Sequence, residues 1–348
     1  MPQLGIAVAG AGLIGRRHIE EIVACDATRL VGVLDPAPTG REVAAAYDVP
    51  CVDSWPDLFD RCRPDGVIVA TPNAQHVPGG LACIEAGIPV LVEKPLAPTT
   101  AEAEVLVAAA ETSGVPLLVG HHRQHSPLLR ETRAIIDSGA LGSIVAVSGS
   151  ATFAKPADYF DVGGGWRREP GGGPVLINLV HDVNALLGLF GPIVQVEAIA
   201  ANATRGFPVE DTAAILFRFA SGALGTFTLS DAAASPWSWE QTAQENLAYP
   251  TFPDEDCYRI SGTLGSLGVP TMRLRTTTGE PSWWSPMQTR VLEVHRTDPL
   301  AEQIAHFAAV IRGECAPLVT GRSGLETLRV IDAIEQSIAR GAEMAVAS

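Results

Sequence analysis

Six residues near the start of the chain, Gly10-Ala11-Gly12-Leu13-Ile14-Gly15, have the types and spacing to hold a pyrophosphate. In this pattern the first glycine permits a tight strand-to-helix turn and the second lets backbone approach phosphate oxygens. The third lets the helix lie close against the strand. The helix that follows would aim unpaired N–H groups and the positive end of its dipole at the anion. Asp35, 20 residues beyond Gly15, ends the next apolar run, where a carboxylate can accept hydrogen bonds from ribose hydroxyls. The same carboxylate would repel a 2′-phosphate and no arginine follows it directly, so NAD is expected rather than NADP.

Three further stretches carry chemistry-bearing residues: Thr71-Pro72-Asn73 with His76, Glu93-Lys94-Pro95, and Gly120-His121-His122-Arg123. Each lies at or just beyond the C-terminal end of an apolar run, the edge at which open α/β sheets bind ligands. A lysine placed there before a proline is held by a restricted backbone.

The elements that must position these residues are legible. Apolar runs at 4–9, 30–34, 66–70, 89–92 and 116–119 are rich in Val, Ile and Leu without alternation, as strands buried on both faces require. Helical patterns at 14–25, 40–47, 75–87 and 100–113 lie between them, so the spacing predicts βαβ units and a doubly wound parallel sheet. Beyond Gly120 a helix at 127–138 leads into alternating segments at 143–153, 194–200, 213–219 and 223–230. Period-two alternation with short glycine turns such as Ala220-Ser221-Gly222 predicts an antiparallel sheet with one face outside the core. One helix, 174–189, interrupts it after Gly171-Gly172-Gly173; residues 231–256 form a long polar loop, and helices at 299–312 and 322–340 close the chain. The expected organisation is a dinucleotide-binding domain over 1–122 and a second, substrate-binding and oligomerisation α/β domain over 123–348, with its C-terminal helices free to pack back on the first.

Composition limits the partners. A chain of 348 residues suggests two domains, and 47% hydrophobic against 18% charged residues gives ample core. With 24 Lys+Arg against 39 Asp+Glu, the formal net charge of −15 argues against nucleic acid, which needs a basic footprint. It leaves room for a neutral or cationic small substrate, an aminated sugar included. The six cysteines, Cys25, Cys51, Cys62, Cys83, Cys257 and Cys315, are scattered without a C-x-x-C pair and read as free thiols. No signal-peptide pattern opens the chain and no stretch of about 18 apolar residues occurs, so a cytoplasmic protein with no membrane partner is expected.

In order and spacing, Gly10–Gly15, Thr71-Pro72-Asn73, Glu93-Lys94-Pro95, Gly120–Arg123, and Gly171–Gly173 followed by His181 resemble the Gfo/Idh/MocA oxidoreductases. The resemblance implies an N-terminal Rossmann domain and a C-terminal domain built on an open, mainly antiparallel sheet. Members often pack that sheet into dimers or tetramers, so a homodimer or homotetramer is expected. It implies a cofactor-contacting set of Gly10, Gly12, Leu13, Ile14, Gly15, Asp35, Thr71, Pro72, Asn73, His76, Glu93 and Lys94. The family's catalytic set is the lysine of Glu-Lys-Pro with an Asp and a His on the helix after the glycines. Lys94 and His181 match it; the acid does not, because Ile177 stands four residues before His181. Asn178 and Asn184 lie three residues to either side, and Asp182 follows directly. The implied machinery is therefore Lys94 and His181 as acid and base, with Asn178 orienting the substrate or His181. Substrate contacts fall to His122, Arg123, Tyr159, Trp166, Arg167, Asn178 and His181. The implied activity is NAD-dependent hydride transfer at a secondary hydroxyl or ketone of a sugar, glycoside or cyclitol. Two alternatives within the family are a redox-neutral glycosidase that uses bound NAD and a non-catalytic NAD-binding regulator. Keeping both Lys94 and His181 argues against the regulator, since a sensor needs no proton relay.

Other residues weigh less. His121, His122 and His125 have the look of a metal cluster, but no fourth ligand is implied and no metal is expected. Asp158, Tyr159 and Asp161 lie in an irregular segment before Trp166-Arg167-Arg168 that could cover substrate. Trp237, Trp239, Trp283 and Trp284 are expected to serve packing or an interface before sugar stacking.

Overall fold

Apolar runs without alternation become the parallel sheet of the first of two units in the computed structural model, which describes residues 2–161 and 165–347. The first unit comprises Met1–His125 and Pro299–Leu328, the second Ser126–Asp298 and Arg329–Ser348. In the first, β1 (Leu4–Ala9), β2 (Thr28–Leu34), β3 (Cys51–Val52), β4 (Gly66–Val69), β5 (Val90–Val92) and β6 (Leu117–Val119) form one sheet in the order β3-β2-β1-β4-β5-β6. All its pairings are parallel, and the order reverses beside β1, which is the Rossmann arrangement.

Side chains alternate between two cores. Ile6, Val8, Ile68, Leu91 and Leu118 pack with Ile19 and Ile22 of the helix Leu13–Ala24 and with Ile304 and Phe307 of the helix Pro299–Ile311. Their neighbours Ala7, Ala9, Val67, Val69, Val90 and Val92 pack on the other face, with Leu106 and Ala110 of the helix Thr100–Ser113. Helices on both faces are why these strands carry no polar alternation. The helix Thr100–Ser113 is closed at both ends by local chemistry. The Thr99 side chain accepts from the Glu102 N–H at 3.2 Å, and Gly114 takes a positive φ of 73° at the other end.

The second unit holds nine strands in the order β14-β13-β12-β11-β7-β10-β9-β8-β15. They are β7 (Ile144–Thr152), β8 (Ile193–Ala201), β9 (Thr212–Phe219), β10 (Leu224–Ser230), β11 (Tyr258–Gly262), β12 (Gly265–Val269), β13 (Arg273–Thr277), β14 (Met287–Val291) and β15 (Met344–Ala345). Neighbours are antiparallel except β7 and β10, which run parallel. Alternation sets the faces: Ala213, Ile215, Phe217 and Phe219 of β9 point inward, while Leu216 and Arg218 point out. The inner face packs on Leu128 and Leu129 of the helix Pro127–Asp137, on Val183 and Leu186 of the helix Val180–Phe190, and on Val330 and Ile334 of the helix Gly321–Arg340.

The sequence reading leaves out β3 and the five strands after residue 257. All six are two to five residues long, and β14 is exposed along its whole length, too little hydrophobic pattern to show a period. The long loop at 231–256 is anchored rather than loose. Glu245 accepts from the Trp239 indole N–H at 3.0 Å and from the Ser126 hydroxyl at 2.5 Å, and Trp239 lies against Tyr258. Of the four singled-out tryptophans only Trp239 enters the core; Trp283 and Trp284 are 90% and 84% exposed, edge to face with each other. Among the described residues no helix is long and apolar enough to cross a membrane.

Candidate active site

In the first unit the glycine turn has the geometry its spacing requires. Gly10 has φ +93°, and a side chain there would stand 2.5 Å from the Ala70 carbonyl oxygen. At Gly15 a Cβ would fall 1.9 Å from the Gly10 carbonyl oxygen, so helix and strand touch through this residue. Gly12 differs: a Cβ would meet nothing within 4 Å, leaving open space where the helix Leu13–Ala24 begins with no side-chain cap. Ile14 packs toward the core, while Leu13 is 73% exposed. Asp35 is tied into this turn, its Oδ2 accepting from the Ala11 N–H at 2.7 Å and its Oδ1 from the Ala37 N–H at 2.9 Å. Open space at Gly12, a bare helix N-terminus and a positioned carboxylate fit a dinucleotide. The buried Thr71 hydroxyl, without a hydrogen-bond partner among the described residues, adds an unanswered polar group beside β4.

The residues after β4 and β5 are joined to each other. His76 is buried, with Nδ1 2.7 Å from the Pro95 carbonyl oxygen and Nε2 2.9 Å from that of Thr71. Burial pushes its pKa down and the two carbonyls, which can only accept, oppose that shift. Each ring nitrogen lies against a backbone carbonyl, so His76 sits between the Thr71-Pro72-Asn73 and Glu93-Lys94-Pro95 segments.

Glu93 is buried beside Lys94. Its Oε1 lies 2.8 Å from His18 Nε2, and its Oε2 accepts the Lys94 N–H at 3.0 Å. Burial alone would raise this carboxyl's pKa. The His18 hydrogen bond, with the charges of His18, Lys94 and His122, outweighs that and lowers it to about 2. A Cβ on Gly120 would stand 2.7 Å from the Glu93 carboxyl, which explains the glycine that opens Gly120-His121-His122-Arg123. The histidines there part company. Burial, then the Lys94 charge, drives the buried His121 down to about 3; His125 lies 5.0 Å from the His306 ring. Arg123 is buried as well, and His122 is half-buried.

In the second unit the three glycines make a close turn. A Cβ on Gly172 would stand 2.4 Å from the Trp166 carbonyl oxygen, and one on Gly173 2.2 Å from Glu210 Oε1. Glu210 uses that approach to accept the Val175 N–H at 2.9 Å, capping the segment that carries Asn178 and His181. The single helix expected over 174–189 is a π-helical turn, Val175–Leu179, followed by the α-helix Val180–Phe190. His181, Asp182 and Asn184 are buried and Asn178 half-buried; Asp182 accepts from the Tyr258 hydroxyl.

Lys155 Nζ donates to Asn178 Oδ1 at 2.6 Å and lies 3.7 Å from Asp231, which Arg205 also engages at 2.8 Å. The Tyr159 ring stands between two cations, 4.5 Å from Lys155 Nζ and 4.4 Å from the Arg167 guanidinium carbon. Arg167 also lies over the half-exposed Trp166 ring, and Arg168 pairs with Asp161. Asp158 is exposed, and residues 162–164 of this irregular segment lie outside the described residues. The second unit therefore brings together Lys155, Tyr159, Arg167 and Asn178.

The sequence reading misses His18, Lys155, Arg205, Glu210 and Asp231. One signal was available for Lys155: the chain has two lysines, Lys94 and Lys155, and each precedes a proline.

Rossmann strand order and the Gly10–Gly15 turn define a dinucleotide-binding domain. Residues 4–121 match the family model described as oxidoreductase family, NAD-binding Rossmann fold, and residues 129–268 match the GFO/IDH/MocA C-terminal domain. The chain belongs to the Gfo/Idh/MocA oxidoreductase family. It is 30% identical to 1,5-anhydro-D-fructose reductase of Ensifer adhaerens, over 95% of this chain and 96% of that protein. To inositol 2-dehydrogenase of Rhizobium meliloti (strain 1021) it is 25% identical, over 97% and 98%. The fold is shared with WlbA dehydrogenase from Bordetella pertussis, solved with NADH and UDP-GlcNAcA, at TM-score 0.79, 24% identity and full coverage of both chains. It is shared also with an Agrobacterium radiobacter oxidoreductase solved with NAD+, L-tartaric acid and magnesium, at TM-score 0.82 and 19% identity over 99% of each chain.

Proposed function

We propose that this protein is an NAD-dependent dehydrogenase acting on a secondary hydroxyl, or the corresponding ketone, of a sugar, glycoside or cyclitol. The observation that carries the reading is the pinning of Lys94 through its own N–H by the Glu93 carboxylate, at the C-terminal edge of the parallel sheet. Relatives named for inositol and anhydrofructose chemistry support the polyol class. NAD is favoured over NADP because Asp35 is fixed at the glycine turn, where it would accept from ribose hydroxyls and repel a 2′-phosphate.

When bound, the nicotinamide supplies the hydride acceptor or donor. The remaining work falls to the chain. His181 removes the hydroxyl proton, a task suited to an imidazole near neutral pH. Lys94 donates to the same oxygen and steadies the charge that develops on it. Asn178 orients the substrate. We also propose that a second copy covers the outer face of the nine-stranded sheet, where Ile199, Leu216 and Leu224 stand exposed among Ala214, Thr226 and Thr228.

The test is NADH absorbance with NAD supplied across sugars, inositols, glycosides and amino sugars, with Lys94→Ala and His181→Ala beside the wild type. Turnover lost in both variants supports the reading. Bound NAD with no NADH formed, but with glycoside cleaved, would replace it by the redox-neutral hydrolase. Bound NAD without any turnover would replace it by the regulator.

A further inference from the structure

Lys155 lies outside the motifs that carry the resemblance to the family. In a chain whose other basic residues are all arginine, it is one of two lysines, and its side chain is only 9% exposed. Lysine differs from arginine in presenting a compact ammonium with three rotatable donors rather than a planar fork. Close to this one lie Asn178 Oδ1 at 2.6 Å, the Asp231 carboxylate at 3.7 Å, and the Tyr159 and Phe153 rings at 4.5 and 5.7 Å. Its backbone is held too: the Lys155 N–H donates to the Asp231 carbonyl at 2.9 Å, and its carbonyl accepts from Arg205 at 3.0 Å.

We infer that Lys155 is a positioning residue that fixes the Asn178 amide so that Asn178 meets the substrate as a hydrogen-bond donor. An ammonium has donors and no acceptor, so the end of the amide that faces it must be the oxygen. With Oδ1 engaged by a charged donor, the Nδ2 hydrogens are the amide's remaining polar end. The group that the substrate places against Asn178 is therefore an oxygen acceptor, a hydroxyl, carbonyl or carboxylate oxygen, and not an ammonium. This narrows the substrate class of the preceding section, on whose reading it rests. It also gives a physical account of an amide near His181 in place of a second acid: a carboxylate at 178 would pair with Lys155 and offer acceptors only.

Kinetic and spectroscopic measurements test this separately. Lys155→Met and Asn178→Ala should each lower kcat/KM for the polyol by about tenfold or more while leaving KM for NAD within about twofold. Because Lys155 acts through Asn178, the double variant should be no worse than Asn178→Ala alone. Asn178→Asp, which keeps a partner for the ammonium but loses the donor, should lose as much as Asn178→Ala. Multiplying losses in the double variant, or an Asn178→Asp enzyme as active as wild type, overturns the inference. The Asn178 side-chain amide signals in a nitrogen–proton correlation spectrum give a readout without turnover. They should shift on Lys155→Met, and unmoved signals overturn the inference even in an inactive protein. A wild type with no hydride transfer to any polyol sinks the proposed function alone, and the amide signals still decide the role of Lys155.

Discussion

His18 Nε2 and Glu93 Oε1 stand 2.8 Å apart, both buried, though 75 residues separate them in sequence. His18 lies on the helix that opens at the cofactor turn, and Glu93 immediately precedes Lys94. Since the other Glu93 oxygen takes the Lys94 N–H, one carboxylate couples the dinucleotide helix to the backbone of the proposed catalytic lysine. Two motifs that look independent in sequence are one hydrogen-bonded assembly.

Replacing Glu93 by Ala leaves the buried His18 ring and the part-buried Lys94 N–H without this acceptor. Each such loss costs about 1–3 kcal/mol. Glu93→Ala should lower the urea midpoint markedly and abolish turnover; a midpoint unchanged from wild type would deny the pair any structural weight.

Gly120→Ala would drive a methyl to 2.7 Å from the same carboxyl. Overpacking of this kind costs about 1–3 kcal/mol. The expected result is lower thermal stability and impaired activity. An alanine accepted without change in either would show that the Glu93 carboxylate can move freely.

Stability should depend on pH with two opposite signs. Glu93 is depressed from 4.5 to about 2 in the folded protein, against the raising effect of burial and chiefly by the His18 hydrogen bond. Its contribution is fully present above about 4.5 and lost as pH falls from there through about 2. Glu335 is raised from 4.5 to about 6 by burial and the charges of Asp332 and Glu210. Its protonated form suits the fold, so this contribution is full below about 4.5 and lost as pH rises through about 6. Urea unfolding across pH should show Glu335→Gln removing the change around pH 6 while the acid limb stays.

Asp35→Ala removes the carboxylate that accepts the Ala11 N–H and that is proposed to meet the ribose. Hydrogen bonds to charged groups are worth about 1.5–3 kcal/mol, so NAD affinity should fall about tenfold or more and NADP should be tolerated better. Titration with both cofactors measures the ratio, and an unchanged preference would remove Asp35 from cofactor selection.

Glu210→Ala should weaken the turn that presents Asn178 and His181, because Val175 loses its acceptor and Gly173 its neighbour. Capping losses run to about 0.5–2 kcal/mol. Glu210→Gln, which keeps an oxygen in place, should retain most kcat; equal loss in both variants would assign the effect to charge instead of the hydrogen bond.

The sequence by itself determined the parallel sheet of the first unit apart from the two-residue β3, because its signals are local; that Pro299–Leu328 joins this unit was decided by tertiary structure. A strand buried on both faces must be apolar at every position, as 4–9 and 66–69 are, and a turn with φ +93° at Gly10 needs glycine whatever lies around it. The two-faced strands β7 to β10 were legible for a similar reason, since alternation is written residue by residue. Strands β11 to β14 were not, because runs of five residues are too short to carry a usable period; partners across the sheet make them strands. Lys94 and His181 were singled out through the resemblance of their motifs to the Gfo/Idh/MocA family. That Glu93 answers His18, that His76 sits between Thr71 and Pro95, and that Lys155 turns the amide of Asn178 were decided only by tertiary structure. Such contacts join residues remote in sequence, and burial, which gives them their strength, exists only once the chain has folded.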